Sequence, residues 1–422
     1  MLSLYIHVPF CDKKCSYCSF FVVPEGSDGL KNLIGQYTIS LEKEIKWRSN
    51  LVSGKKIKTL YFGGGTPGKL GIEKLKKIIH LVLTSFDCSE IEELGIELNP
   101  NPFDETFFIT EQLYETFHKK IPSIRISYGI QSFDDEILKE SGRTYNFTGL
   151  LGFFQQLQHL KKPGLKYNFD FIAFGKNGAK VRDYQKISFF KDLVEKKLAD
   201  SFSLYTLELF EGSQRYHELT SKKDGEQLRA KEGFGLRKYG SDDAVYEEFE
   251  ELKKIIQSAG YQRYELSNYA LKEGKSIHNC VYREMGDYLG LGPSASSFLK
   301  AETLGKSGFE IQSTTLGARF SNTQSLKNYI LAAEKSDNQR IKKNSFSELD
   351  AKNMLFEEFF LRLRTNQGIR NIADFEDILI PDYEEKLSGL NRDGFIEYSK
   401  NKLTLTDKGM DVYNSIISEL LL

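Results

Sequence analysis

The chain has 422 residues, 40% hydrophobic and 28% charged, with a net charge of −1. That length exceeds one typical domain and can bury a large core, while the balanced charge gives no general field for nucleic acid or an anionic membrane surface. No stretch reaches the roughly 18 apolar residues that a membrane span needs, and no charged n-region with an apolar h-region opens the chain, so a reducing cytoplasm is expected.

In chain order, LYIHV (4–8) is a short β-branched and aromatic run that ends at a proline. Residues 30–48 have helical apolar spacing. KTLYF (58–62) reads as a strand that ends in glycines, and 71–86 is helical again. GIEL (95–98) reads as a strand closed by Asn-Pro, followed by a helix that the Asp104 carboxylate would cap. IRISYGI (124–130) is a strand, with helices over 134–141 and 146–161. NFDFIAF (168–174) and FSLYTLEL (202–209) are strands that flank a helical 181–198. Six short strands, apolar on both faces, alternate with helices. Only a parallel sheet covered by helices buries both faces of its strands, so an α/β fold of that kind is expected. Periodicity alone does not say whether the sheet curls.

Residues 211–240 are polar and glycine-rich and read as an insertion. A helix over 242–258 ends before Gly260, a natural C-terminal stop. The composition turns polar over 300–345, which puts a domain division near 300. Residues 301–422 then form a second unit, with helices over 349–364, 372–379 and 382–393, two short β runs around SKNK, and a final helix. This order resembles a winged helix. It lacks a basic recognition helix, so a packing or lid role is expected.

Three of the five cysteines, Cys11, Cys15 and Cys18, crowd into PFCDKKCSYCSFF. In a reducing compartment such a cluster points to a metal or redox site rather than to disulfides. Zinc is one occupant, but a structural zinc wants four protein ligands. A [4Fe–4S] cluster is the other: three thiolates leave one iron open, and that iron can chelate the amino and carboxylate groups of S-adenosylmethionine (SAM). Cys88 and Cys280 stand alone and read as small buried hydrophobes.

YFGGGTP (61–67) puts three glycines at the end of the second strand, where the backbone can approach a ligand with no Cβ in the way. The spacing is neither a dinucleotide fingerprint nor a phosphate loop. The alternative is a plain tight turn between strand and helix.

YIHVPFC, the cysteine spacing, GGGTP, RISYGIQSFDDEILKESGR, YELSNYA and HN…YLGLG together resemble the radical-SAM family of oxygen-independent coproporphyrinogen III oxidases, and above all its heme-chaperone branch. The resemblance is strong over 3–298 and looser beyond. It implies a partial (β/α)6 barrel with the cluster at the carboxyl ends of the strands, followed by a helical, winged-helix-like module. It implies Cys11, Cys15 and Cys18 as cluster ligands. Tyr5, Tyr17, Gly64, Gly65, Thr66, Glu97, Gln131, Arg143 and Asp170 match positions near the adenosyl ligand, and Thr206 and Ser296 match more distant contacts.

The oxidising branch carries a further cysteine two residues past the third and an extension ahead of the first strand. Here Phe20 takes that place and the chain starts almost at the strand, so the chaperone-like branch, which passes heme to acceptor proteins, is the expected one. The alternative is oxidative decarboxylation of coproporphyrinogen III by a 5′-deoxyadenosyl radical. Implied partners are heme or a porphyrin, a heme-acceptor protein, an electron donor such as a flavodoxin or ferredoxin, and a second copy in a homodimer. His7 and His278 are candidate heme-iron ligands. The sequence departs from the branch at Arg283, where a Trp is typical, at KNGAK (176–180) in place of Leu-Pro-x-Gln, and at YLGLGPSASSF, which has Ser where His is frequent.

Overall fold

A computed structural model describes residues 1–26, 29–101, 105–175, 184–208, 210–211, 213–214, 216, 242–306, 311–334 and 345–421. The proposed cap Asp104, the KNGAK segment and nearly all of the 211–240 stretch lie outside the described residues.

Six strands form in the order the sequence suggests: β1 (Leu2–Val8), β2 (Ile57–Gly64), β3 (Glu93–Leu98), β4 (Ser123–Gln131), β5 (Leu165–Ala173) and β6 (Ser201–Thr206). Each pairs in parallel with the next. All nine residues of β4 are buried, as a strand covered on both faces must be. The helices between them include α1 (Leu30–Leu51), α2 (Ile72–Ser85), α3 (Thr106–Phe117), α4 (Asp135–Glu140) and α5 (Phe147–Leu160). Asp134 caps α4 by accepting from the amides of Glu136 and Ile137, and Asn146 caps α5 through Gly149.

The six strands do not close on themselves. A later strand, Asp287–Leu291, adds in parallel beside β1, and the hairpin of Gln262–Glu265 and Asn268–Ala270 adds antiparallel beside β6. Strands Ser296–Lys300, Gly317–Ser321 and Ser347–Leu349 extend the same sheet, which has twelve strands among the described residues. The sheet thus runs past the division expected near residue 300. The stretch read as polar, 300–345, contains one of these strands and the helix Leu326–Glu334. Wholly buried Glu44 and Arg48 on α1 fix that side. Glu44 accepts from the Gly292 amide (2.9 Å) and the Tyr329 hydroxyl (2.6 Å), and Arg48 donates to Asn322 (3.1 Å).

A second hydrophobic core gathers Phe359, Leu363, Phe375, Leu387, Leu403 and Ile416. Around it stand helices Ala351–Leu363 and Tyr383–Arg392, the hairpin Ile396–Ser399 with Lys402–Leu405, and two closing helices. The single final helix read from sequence is broken at Val412, and 372–378 is a 3-10 helix rather than an α-helix. Ion pairs dock this module on the barrel: Asp411 accepts from Arg263 and Lys253, each at 2.7 Å.

Candidate functional site

At the carboxyl ends of β1–β6 a cavity of about 710 Å³ opens. Its lining includes Cys11, Cys15 and Cys18, along with Tyr17, Gly64, Gly65, Thr66, Glu97, Gln131, Arg143 and Asp170. Residues drawn from four strand ends, β2 to β5, and from two loops therefore meet in one place. Thr206 also lines the cavity. Tyr5 lies on the wall of a second, polar cavity of about 250 Å³, whose lining shares Glu97 and Asp170 with the first. Ser296 bonds instead to Ser321 on the neighbouring strand (2.8 Å).

The glycine turn is stitched to the start of the cysteine loop. The Gly65 amide donates to the Val8 carbonyl (2.8 Å) and the Thr66 amide to the Phe10 carbonyl (2.7 Å). A Cβ on Gly65 would stand 2.7 Å from the Val8 carbonyl oxygen, and Gly64 combines φ 100° with His7 ring atoms 2.3 Å from where its Cβ would be. Thr66 Oγ1 donates to Cys11 Sγ at 3.7 Å. From Thr66 the contacts continue to Asn99, whose Nδ2 donates to Thr66 Oγ1 (3.3 Å). Arg143 then donates to Asn99 Oδ1 (3.1 Å) and to the Tyr17 hydroxyl (2.7 Å).

Burial pushes the Cys11 thiol up to about 11, against the Thr66 hydrogen bond, and raises Cys18 as well. Thiols in such surroundings become thiolates when a cation takes the place of the proton, which is what metal ligation does. Arg143 Nε is buried with no partner, beside the cysteine loop. Among the described residues no three His, Cys, Asp or Glu side chains gather closely enough for a single ion. The soft donor set, three thiols spread along one cavity wall, fits a multi-iron cluster. Burial pushes Glu97 up to about 7, and Asp170 adds to this while the Tyr61 hydroxyl and the Gly64 amide oppose it. Asp170 is pushed up to about 6 by burial, against hydrogen bonds from Ser203 and Asn168.

The two histidines are committed elsewhere. His7 Nε2 lies 2.9 Å from the Phe21 carbonyl, so it carries the proton, and Nδ1 accepts from the Tyr5 hydroxyl (3.1 Å). His278 sits on a short helix, Ile277–Arg283, capped by Ser276. Its Nδ1 pairs with Thr59 Oγ1 (2.7 Å) and its Nε2 with the Tyr282 hydroxyl (2.6 Å), and burial lowers its pKa to about 3. Neither has a nitrogen free for heme iron. Cys88 is buried in the core. Sequence reasoning missed Asn99, Tyr61 and Tyr145, which lines the cavity and donates to the Gly129 carbonyl (2.5 Å). Asn99 follows Glu97 by two residues at a strand end, and that position was its one signal. Arg364, from the carboxy-terminal module, also lines the cavity.

Residues 5–177 match the model of the Radical SAM superfamily, and residues 349–412 match that of the HemN C-terminal domain. The chain is thus similar to HemN-like radical-SAM proteins in both its barrel and its carboxy-terminal module. It is 26% identical over 430 residues to the heme chaperone HemW of Lactococcus lactis, covering 100% of this chain and 97% of that protein. It is 25% identical over 435 residues to HemW of Bacillus subtilis, with 100% of both covered. The solved structure of coproporphyrinogen III oxidase (HemN) from Escherichia coli superposes with a TM-score of 0.71 at 19% identity, covering 99% of this chain and 89% of that one. That likeness shows the shared fold. The match of residues 5–177 to the Radical SAM superfamily implies a [4Fe–4S] cluster and SAM. No helix among the described residues is long and apolar enough to cross a membrane.

Proposed function

We propose that this chain is a heme-binding chaperone on a radical-SAM scaffold, which passes heme to an acceptor protein in the reducing cytoplasm. Cys11, Cys15 and Cys18 hold the [4Fe–4S] cluster. The cluster, when bound, supplies an open iron for SAM and an electron for its sulfonium, taken from a flavodoxin- or ferredoxin-type donor. Gly64, Gly65 and Thr66 border the methionyl end of SAM. Glu97 and Asp170 accept from its ribose hydroxyls or ammonium group, Arg143 and Gln131 face its polar groups, and Tyr17 borders the adenosyl part. Residues 1–300 carry this site, and the remainder helps to close it through Arg364.

The observation that carries the chaperone reading is Phe20, which stands two residues past Cys18 at the cavity mouth, 60% exposed. Where the oxidising branch places a thiol, this chain offers an apolar ring. Phe210, 51% exposed, stands at the same cavity. Two exposed rings at one mouth suit the flat apolar face of a porphyrin. The full-length similarity to proteins named as heme chaperones supports the same reading.

The test is a heme titration of anaerobically reconstituted protein, followed by the Soret band, beside an assay with coproporphyrinogen III, SAM and reductant. The expected result is a Soret band that saturates stoichiometrically, with no protoporphyrinogen formed. Formation of protoporphyrinogen, or a titration without saturation, contradicts the proposal.

A further inference from the structure

Glu97 stands in the wall between the two cavities, and each carboxylate oxygen already holds one donor. The Tyr61 hydroxyl donates to Oε1 (2.9 Å) and the Gly64 amide to Oε2 (3.1 Å). Tyr61 reaches Glu97 because the strands leave room for it. Tyr61 is paired in register with Gly95, where a Cβ would lie 2.3 Å from the Tyr61 ring. A Cβ on Gly63 would lie 2.8 Å from Glu97 Oε1. The pair is therefore built across two positions that only glycine can fill without a shift.

Tyr61 is itself braced. The His278 ring stacks on it with centroids 4.8 Å apart and planes 14° from parallel, and Tyr5 stacks at 6.3 Å and 19°. His278 is fixed at both nitrogens by Thr59 and Tyr282, and its backbone amide donates to Glu93 (3.1 Å). Tyr282 meets the His278 ring edge-on at 4.8 Å. Thr59, Tyr61, Glu93 and Glu97 belong to β2 and β3, so the brace ties the short helix of His278 to the two strands that carry the carboxylate.

We propose that Tyr61, braced by His278, is a positioning residue that aims the Glu97 carboxylate into the SAM site. The proposal rests on the reading of Glu97 as a SAM contact. The sequence marked His278 as a candidate heme ligand. Its committed nitrogens and its stacking give it a different task in the same site.

The groups that face Glu97 are Asp170 from β5, Tyr5 from β1, Tyr61 from β2, Tyr205 from β6 and Tyr282 from the His278 helix. Burial and Asp170 favour the protonated acid, and the Tyr61 hydroxyl and Gly64 amide favour the carboxylate. Removal of the Tyr61 hydroxyl moves the Glu97 titration further upward. A ligand that needs the ionised form then binds more weakly near neutrality and recovers in alkali.

The experiment is SAM binding by equilibrium dialysis to the anaerobically reconstituted protein, from about pH 6 to about pH 9, with wild type, Tyr61→Phe, Glu97→Gln, the double variant and His278→Gln. Tyr61→Phe is expected to bind about tenfold more weakly at pH 7, as for loss of a hydrogen bond to a charged group. Its pH profile is displaced to higher pH and its iron content is unchanged. In the Glu97→Gln background the same substitution adds nothing, because the charge it serves is gone. His278→Gln displaces the profile in the same direction by less. Wild-type-like binding by Tyr61→Phe at every pH overturns the inference and leaves the site reading standing. An unmoved His278→Gln profile overturns the brace. Absence of SAM binding by the wild type overturns the site reading and this inference together.

Discussion

Arg143 ties the cysteine loop to the strand ends: its guanidinium donates to the Tyr17 hydroxyl at 2.7 Å, between Cys15 and Cys18, and to Asn99 Oδ1 at 3.1 Å. Arg143→Ala leaves both half-buried partners short of a donor, a cost of about 1 kcal/mol for each. The expected outcome is a folded protein with a lower melting temperature and a several-fold faster loss of iron on dilution into chelator. Arg143→Lys is expected to rescue little, because an ammonium cannot fork to two acceptors as a guanidinium does. Iron retention equal to wild type in the alanine variant would contradict this role.

Two carboxyls with raised pKa give the stability a predictable slope with pH. Glu97 at about 7 and Asp170 at about 6 hold their protons more tightly in the folded chain than in the unfolded one, where carboxyls titrate near 4. The folded state therefore binds more protons between those values, and stability from these groups falls as pH rises through that window. The cost is complete above about pH 7. Chemical denaturation of the metal-free protein should show wild type losing about 1–2 kcal/mol relative to Glu97→Gln/Asp170→Asn from about pH 5 to about pH 8. A difference that stays constant with pH would remove the argument.

Gly64 meets two constraints at once, a φ of 100° and a Cβ position 2.3 Å from the His7 ring. Gly54 has φ 81° with nothing within 4 Å of its Cβ position. Gly54→Ala should cost only the backbone strain, about 1 kcal/mol. Gly64→Ala should cost that plus overpacking, about 2–4 kcal/mol in all, and should lower iron retention because the turn is stitched to the cysteine loop. Equal destabilisation by the two substitutions in urea melts would contradict the packing argument.

Six βα repeats were legible because each strand is a largely apolar run, four of them closed by Gly, Pro or Asn, and each helix shows its own spacing. The β runs around SKNK were legible, but the strands that extend the large sheet beyond residue 260 were not. They are three to five residues long, and several of their buried positions are polar: Arg263, Asn268 and Asp287 are inside because they bond to partners distant in sequence. The cysteine loop and glycine turn could be read because chemistry fixes their residue types. Asn99, Tyr61 and the task of His278 could not, because each depends on a neighbour supplied by another strand or helix. The histidines show the limit most clearly, since a His before Asn says nothing about whether both its nitrogens are already occupied.

Arg283, where the resembled branch has Trp, pairs with Glu265, which is 3% exposed, at 2.6 Å. Glu265 also holds Arg364 of the carboxy-terminal module at 3.8 Å, so the pair joins the module to the barrel. Arg283→Ala takes one partner from a buried carboxylate and is expected to cost about 3 kcal/mol. Glu265→Gln in the same background should recover part of that loss. Proteolysis near residue 350 that is faster in the single variant than in the double would show it, and equal rates would contradict the coupling.

The most direct measurement is the electron paramagnetic resonance spectrum of anaerobically reconstituted, reduced protein with and without SAM, alongside iron, sulfide and zinc content. The account predicts about four irons and four sulfides per chain, lost in Cys15→Ala, and a spectrum that changes when SAM is added because one iron is open. Zinc in place of iron, or an iron spectrum indifferent to SAM, would contradict it.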